Sequence, residues 1–157
     1  MRKQSDQQHE RGAVLHLWTY ETALRSVPYL RAVVRSLREH WLHLQAVRRQ
    51  IQRLDSRPGR PDRQTLIQRA VAVKELDRAD MTLEETLDEL KAVEVYCLDP
   101  AQGLALIPFG KGDELAWYVF DVFSPQGLEA WRFHGDPLEM RRPLEQNAGS
   151  ALPTRSA

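Results

Sequence analysis

The chain has 157 residues, and its 22 basic and 22 acidic side chains balance to a formal net charge of zero. No stretch reaches the roughly 18 consecutive apolar residues of a membrane helix. The start, Met-Arg-Lys-Gln-Ser-Asp, lacks the apolar core of a secretion signal. The only cysteine, Cys97, has no partner for an internal disulfide. These features predict a cytoplasmic protein that has no membrane partner and does not depend on oxidation to fold.

The two signs of charge are segregated along the chain. Residues 22–73 carry eleven arginines and three acids, a net charge of +8, whereas residues 74–145 carry seven cations and sixteen anions, a net charge of −9. Such segregation indicates either attraction between two parts of one fold or two surfaces of opposite sign.

The polar, aperiodic ends of the chain predict disordered tails over residues 1–13 and 146–157. The length between them suits one domain, residues 14–145. We predict an α+β fold for it. A long antiparallel two-helix hairpin over residues 19–95 is followed by a small three-stranded antiparallel β-meander over residues 103–134.

The first predicted helix begins after Thr19, a suitable N-cap, and continues to about Asp55. Pro28 removes a backbone donor, which predicts a kink or an irregular turn near Leu24 to Pro28. The apolar seam of this helix repeats every seven residues, as in a coiled coil. Its rows are Leu30, Leu37, Leu44 and Ile51, and Val27, Val34 and Trp41.

The second predicted helix follows a loop over residues 55–62 that holds two prolines and a glycine. In an antiparallel hairpin the numbers of two facing residues have a constant sum, and a sum of 117 places most apolar residues of the two seams opposite one another. A capping-box pattern that starts at Thr82 leaves open a break near Met81. The apolar face consists of Leu66, Val73, Leu76, Leu83, Leu87 and Leu90.

After residue 100 the apolar pattern changes from helical to alternating. Strands are predicted over residues 103–109, 115–123 and 128–134, because Gly-Lys-Gly-Asp and Ser-Pro-Gln-Gly sequences separate them with turn residues. Pro108 predicts that the first strand lies at an edge, at least on one side. Apolar residues on both faces of the second strand require a second cover, either residues 14–18 or another subunit.

Two sequence motifs resemble a known family. Trp-Thr-Tyr-Glu-Thr-Ala at residues 18–23 precedes Val-Pro-Tyr-Leu at 27–30, and Trp-Arg-Phe-His at 131–134 precedes Arg-Arg-Pro-Leu at 141–144. Together they are similar to the bacterial domain of unknown function 2203 family. The resemblance spans residues 17–145. It implies this architecture and a bacterial protein that is not secreted, and it implies no activity.

Few residues have a spacing that indicates chemistry. His40 and His43 are close enough on a helix to share a metal but have no further ligands in view, and no base is placed beside Cys97. We therefore predict no metal, no cofactor and no catalytic residue. The alternative is a small-molecule or metal-binding enzyme at the junction of hairpin and sheet, built from Cys97, His134, Asp136 and Arg141.

The leading functional prediction is a non-catalytic interaction or scaffold module that uses the hairpin and an aromatic sheet face. Its partner is another protein or a second copy of the chain. One helical hairpin can cover the sheet on one face only, so its aromatic residues indicate an exposed apolar surface. These six residues are Trp117, Tyr118, Phe120, Phe123, Trp131 and Phe133. The predicted binding residues are Trp117, Trp131, His134 and Arg141.

A further alternative uses the hairpin tip, where Arg53, Arg57 and Arg60 predict a basic surface. Such a surface can bind nucleic acid or an acidic partner without sequence specificity, since arginines neutralise phosphates. No aromatic residue lies between Trp41 and Tyr96, so no base can stack at the tip. This argues against sequence-specific recognition of nucleic acid.

Overall fold

The computed structural model describes residues 15–145, and both predicted tails lie outside the described residues. Within that range the chain is α+β, as predicted. The helices are α1 (Tyr20–Arg25), α2 (Val27–Asp55) and α3 (Arg63–Ala92). The strands are β1 (Tyr96–Asp99), β2 (Leu104–Lys111), β3 (Glu114–Asp121), β4 (Leu128–Phe133) and β5 (Arg142–Pro143). No helix in residues 15–145 is long and apolar enough to cross a bilayer.

The first helical turn is fixed by a reciprocal cap. The backbone N–H of Thr22 donates to the hydroxyl of Thr19, and the N–H of Thr19 donates to the hydroxyl of Thr22, at 3.2 and 3.1 Å. α1 ends at Arg25, and Ser26 is its C-cap. α2 then begins with Pro28 in its first turn, where a backbone N–H would have no acceptor within the helix. The irregular turn predicted near Pro28 is confirmed.

α2 and α3 form an antiparallel hairpin. The Tyr29 hydroxyl donates to Glu89 at 3.0 Å, and His43 Nε2 lies 2.9 Å from Glu75 Oε1. The residue numbers in each pair add to 118, one more than the predicted 117. The break considered near Met81 is wrong, because α3 is continuous and the Thr82 hydroxyl donates to the carbonyl of Arg78 within it.

The buried seam of α3 differs from the predicted one by a rotation about the helix axis. Small residues at seven-residue spacing are buried, whereas Leu66 is 53% exposed and Val73 is half-buried. Adjacent residues differ by about 100° around a helix, so a seam that starts one position earlier turns Leu66 outward. The buried residues are Thr65, Ala72, Ala79 and Thr86, together with Leu83 and Leu90.

The strands form one antiparallel sheet in the order β1-β2-β3-β4-β5, so the three predicted strands are correct and two were missed. β1 lies in a segment predicted as a junction, and β5 has only two residues, which pair with Ala130 and Trp131. β1 pairs with β2 only as far as Leu106. β2 is paired on both sides, so the prediction that this strand lies at an edge is wrong. Pro108 nevertheless lies past the end of β1, and its carbonyl accepts from the Trp18 N–H at 2.8 Å.

The inner face of the sheet packs against the base of the hairpin. Residues from β2, β3 and β4 alternate into one buried cluster with both long helices. The sheet contributes Ala105, Ile107, Phe109, Ala116, Tyr118, Phe120 and Leu128, and the hairpin contributes Leu30, Val33, Val34, Leu37, Leu44, Ala79, Leu83 and Leu90.

The hairpin continues past the sheet as a two-helix projection, residues 45–78, which we call the distal arm. Val47, Leu54, Thr65 and Ala72 are buried there but lie outside the cluster that contains the sheet. They are buried by the two helices alone. At 1.5 Å per residue, α2 is about 43 Å long, so the arm carries its surface well away from the sheet.

Candidate functional site

The predicted binding residues are divided between the two faces of the sheet. Tyr118 pairs with Trp131, which places Trp131 on the inner face, whereas Trp117 pairs with Arg132 on the outer face. The Trp117 indole N–H donates to His134 Nδ1 at 3.1 Å. The structure therefore brings Trp117 and His134 together but places Trp131 on the other face.

Arg141, the fourth predicted residue, lies in the connection between β4 and β5. Its guanidinium donates to the carbonyls of Leu138 and Met140, at 2.7 and 3.0 Å. A shallow cavity beside it is shared with Leu98 and Leu104, which places this connection against the outer face of the sheet. Arg141 thus lies in a different cavity from His134 and Trp131.

A charged network fixes the same connection. The Asp136 carboxylate accepts from Arg142 Nε and Nη2, at 2.8 and 3.0 Å, and from the N–H of Phe133 at 2.9 Å. These donors, the Arg142 guanidinium above all, lower the pKa of Asp136 to about 2. Buried Arg132 donates to the Asp136 carbonyl. No sequence motif indicates this network, in which Arg132, Asp136 and Arg142 hold the loop.

The surroundings of Cys97 and His43 do not favour nucleophilic or metal-binding chemistry. Burial, with a smaller contribution from the Asp99 carboxylate, raises the pKa of Cys97 to about 11, so the thiol is protonated at neutral pH and is a poor nucleophile. His43 is paired with Glu75. Across residues 15–145, no three His, Cys, Asp or Glu side chains are grouped as metal ligands.

The aromatic residues do not form the exposed sheet face that was predicted. Tyr118 and Phe120 are buried, and Trp117, Trp131 and Phe133 are half-buried. Only Phe123 of the predicted set is largely exposed, at 66%, and the guanidinium of Arg38 lies 5.0 Å from its ring centroid. The hairpin covers the inner face, and the β4–β5 connection lies against the outer one, so both faces are covered within a single chain.

Exposed apolar residues are instead concentrated on α3. Leu66, Ile67 and Val71 in the distal arm are 53%, 48% and 63% exposed, and Met81 just beyond it is 62% exposed. The first three lie within six consecutive residues. Exposed apolar residues grouped in this way are characteristic of interaction surfaces, whereas isolated ones need no explanation.

The tip of the arm carries the arginines from which a basic surface is predicted. An open groove of about 550 Å³ is lined by Arg57, Arg60 and Arg69, and by Asp55 and Asp62. Arg69 is paired with Asp55 at 2.7 Å, and Asp62 caps α3. Within residues 15–145, Arg53, Arg57 and Arg60 form no ion pair, and Arg57 donates to the Thr65 hydroxyl at 3.3 Å.

Comparisons of the chain with family models, with curated proteins and with solved structures gave no match. The resemblance to the domain of unknown function 2203 family therefore stays a prediction.

Proposed function

We propose that the chain is a non-catalytic interaction module that works through the outer side of α3, and that its partner is a second copy of the chain. The observation that carries this proposal is the exposed apolar surface of α3. Ile67 and Met81 lie 14 residues apart, close to four helical turns, and so face the same side of the helix. That side points away from the buried seam, since both residues are about half exposed or more.

The outer side of α3 is self-complementary when two copies run antiparallel. If Ile67 of one copy packs on Met81 of the other, a two-fold axis passes near Lys74, and the same contact is repeated on the other side of the axis. The apolar contact is therefore made twice. Lys74 is long and exposed enough to direct its ammonium toward Asp77 of the second copy.

The charges on α3 support the same antiparallel alignment. Arg63 lies four residues before Ile67, and Glu85 lies four residues after Met81. An alignment that joins Ile67 to Met81 therefore brings Arg63 of each copy opposite Glu85 of the other. Because charge is segregated along the chain, the first part of α3 is basic and the rest is acidic. An antiparallel alignment therefore places opposite charges together, whereas a parallel alignment would oppose like charges.

Sedimentation velocity of the full chain tests this proposal. At concentrations on the order of 10 to 100 µM, the wild type is expected to sediment as a dimer. Ile67→Glu should give a monomer, because it places a carboxylate in the apolar contact. Leu42→Glu is the matched control, since it exchanges a partly exposed apolar residue for the same acid on α2 and should leave the dimer intact. A wild type that is monomeric over this range overturns the proposal.

The basic tip supports a second candidate function, which is binding of an acidic partner or of nucleic acid without sequence specificity. It is favoured by the guanidinium groups of Arg53, Arg57 and Arg60, none of which forms an ion pair within residues 15–145. Exchanging all three for Glu should abolish binding to duplex DNA or RNA at low salt, and the wild-type affinity should fall steeply as salt is raised. If the wild type and the triple variant bind alike, the tip is not a binding surface.

A further inference from the structure

A small aromatic cavity lies at the end of the inner sheet face, away from the distal arm. It has a volume of about 190 Å³, and its walls include the rings of Tyr20, Phe109, Tyr118 and Trp131. The rings are held in place by one another. Phe109 and Tyr118 are stacked with centroids 3.9 Å apart, Tyr20 lies 5.8 Å from Tyr118, and Phe109 meets Trp131 edge-on at 6.1 Å.

The ring of Trp131 already holds cations. The Lys111 ammonium lies 4.6 Å from its centroid, and the Arg142 guanidinium lies 5.5 Å from it. The negative face of an indole attracts cations more strongly than any other side-chain ring. Lys111 also lines the cavity, so it acts as an internal occupant of a cation-binding surface.

The cavity also has an acidic group at its rim. Glu145 lines the cavity and, like Lys111, forms no ion pair within residues 15–145. A carboxylate beside several rings can neutralise a cation that the rings surround. Drug-sized ligands occupy pockets of roughly 300 to 1,000 Å³, so this smaller cavity suits a compact headgroup.

We propose that this cavity binds a small N-methylated ammonium headgroup of the choline type. Methyl groups give such a cation an apolar surface that fits aromatic walls, and its charge is spread and weakly hydrated, so little hydration is lost on entry. The headgroup displaces the Lys111 ammonium from Trp131, and Glu145 faces its positive charge. Lys111 therefore competes with the ligand for the ring of Trp131.

Titration of the full chain with choline, followed by tryptophan fluorescence and calorimetry, tests the proposal. We expect saturable binding with a Kd on the order of 1 mM, a value reasonable for so small a ligand. Lys111→Met keeps most of the aliphatic stem but removes the competing charge, and it should tighten binding roughly two- to fivefold. Glu145→Gln, an exposed and conservative change, should weaken binding.

The uncharged isostere 3,3-dimethylbutan-1-ol is the matched ligand control. It has the shape of choline without the charge, so it should bind far more weakly if the cation–π contact operates. Equal binding of the two ligands overturns the proposal, because the cavity would then be merely apolar. Absence of saturable choline binding by both the wild type and Lys111→Met also overturns it. Neither result bears on the distal arm.

Discussion

Phe120→Ala is expected to lower the free energy of unfolding by about 3 to 5 kcal/mol, the range for removal of a buried aromatic ring. Phe120 is fully buried between the sheet and the hairpin base. Two of its neighbours are too small to fill the space that it leaves. Across the sheet it pairs with Ala105, and Gly127, where an added Cβ would come within 3.0 Å of the ring, has no side chain to move inward.

Phe123→Ala is the matched control for that experiment. It removes the same ring three residues later, from a side chain that is 66% exposed and contacts Arg38. Its loss should be about 0.5 to 1 kcal/mol, the size of an exposed cation–π contact. Both variants are compared by urea denaturation. Similar losses would mean that the inner face is not the core.

Gly103→Ala is the second change with a large expected effect. Gly103 has φ +68°, and a Cβ there would overlap the Cγ1 of Val122. The two segments cannot separate freely, because the Val122 N–H donates to the Gly103 carbonyl at 3.0 Å. Left-handed backbone strain and steric overlap add, so urea denaturation should show a loss of roughly 2 to 5 kcal/mol.

Gly112→Ala separates those two contributions. Gly112 has nearly the same backbone conformation, at φ +62°, but nothing lies within 4 Å of an added Cβ. Only the backbone strain remains, so the expected loss is about 1 to 2 kcal/mol. If the two alanine variants lose the same stability, the Val122 contact does not limit residue 103.

The helical hairpin could be predicted because its signals are local and agree with one another. Thr19 caps α1, Pro28 lies at the start of α2, and the loop before Asp62 separates α2 from α3. These boundaries fall where the sequence predicts them. The capping-box pattern at Thr82 misled because the apolar seam runs through it without interruption. Burial along α3 outweighs one local preference, and the hydroxyl finds its acceptor inside the helix.

The two missed strands have no signal of their own. β1 reads Tyr-Cys-Leu-Asp and does not alternate, and β5 is two residues that include a proline. Both exist because an existing edge is available to pair with them. β5 is further held by the contact between Arg142 and Asp136, six residues apart across a loop, which no periodic pattern reveals.

The candidate surface on α3 was missed for a related reason. The sequence offers two seams one residue apart, one with large apolar residues that include Leu66 and one with small residues that include Thr65 and Ala72. Prediction from hydrophobicity favours the seam of large apolar residues. In the distal arm the two helices pack through the second seam, since small side chains let two backbones approach closely over a long contact. Leu66 then turns outward, and what was predicted as core becomes surface.

Charge reversal at Arg63 and Glu85 tests the central claim, the antiparallel pairing of α3 in two copies of the chain, most directly. Each contact occurs twice in a symmetric dimer, so Arg63→Glu alone and Glu85→Arg alone should each weaken the dimer by about tenfold in sedimentation equilibrium. The double variant restores opposite charges across the interface and should recover wild-type association. A double variant that associates no better than either single variant would contradict the proposed pairing.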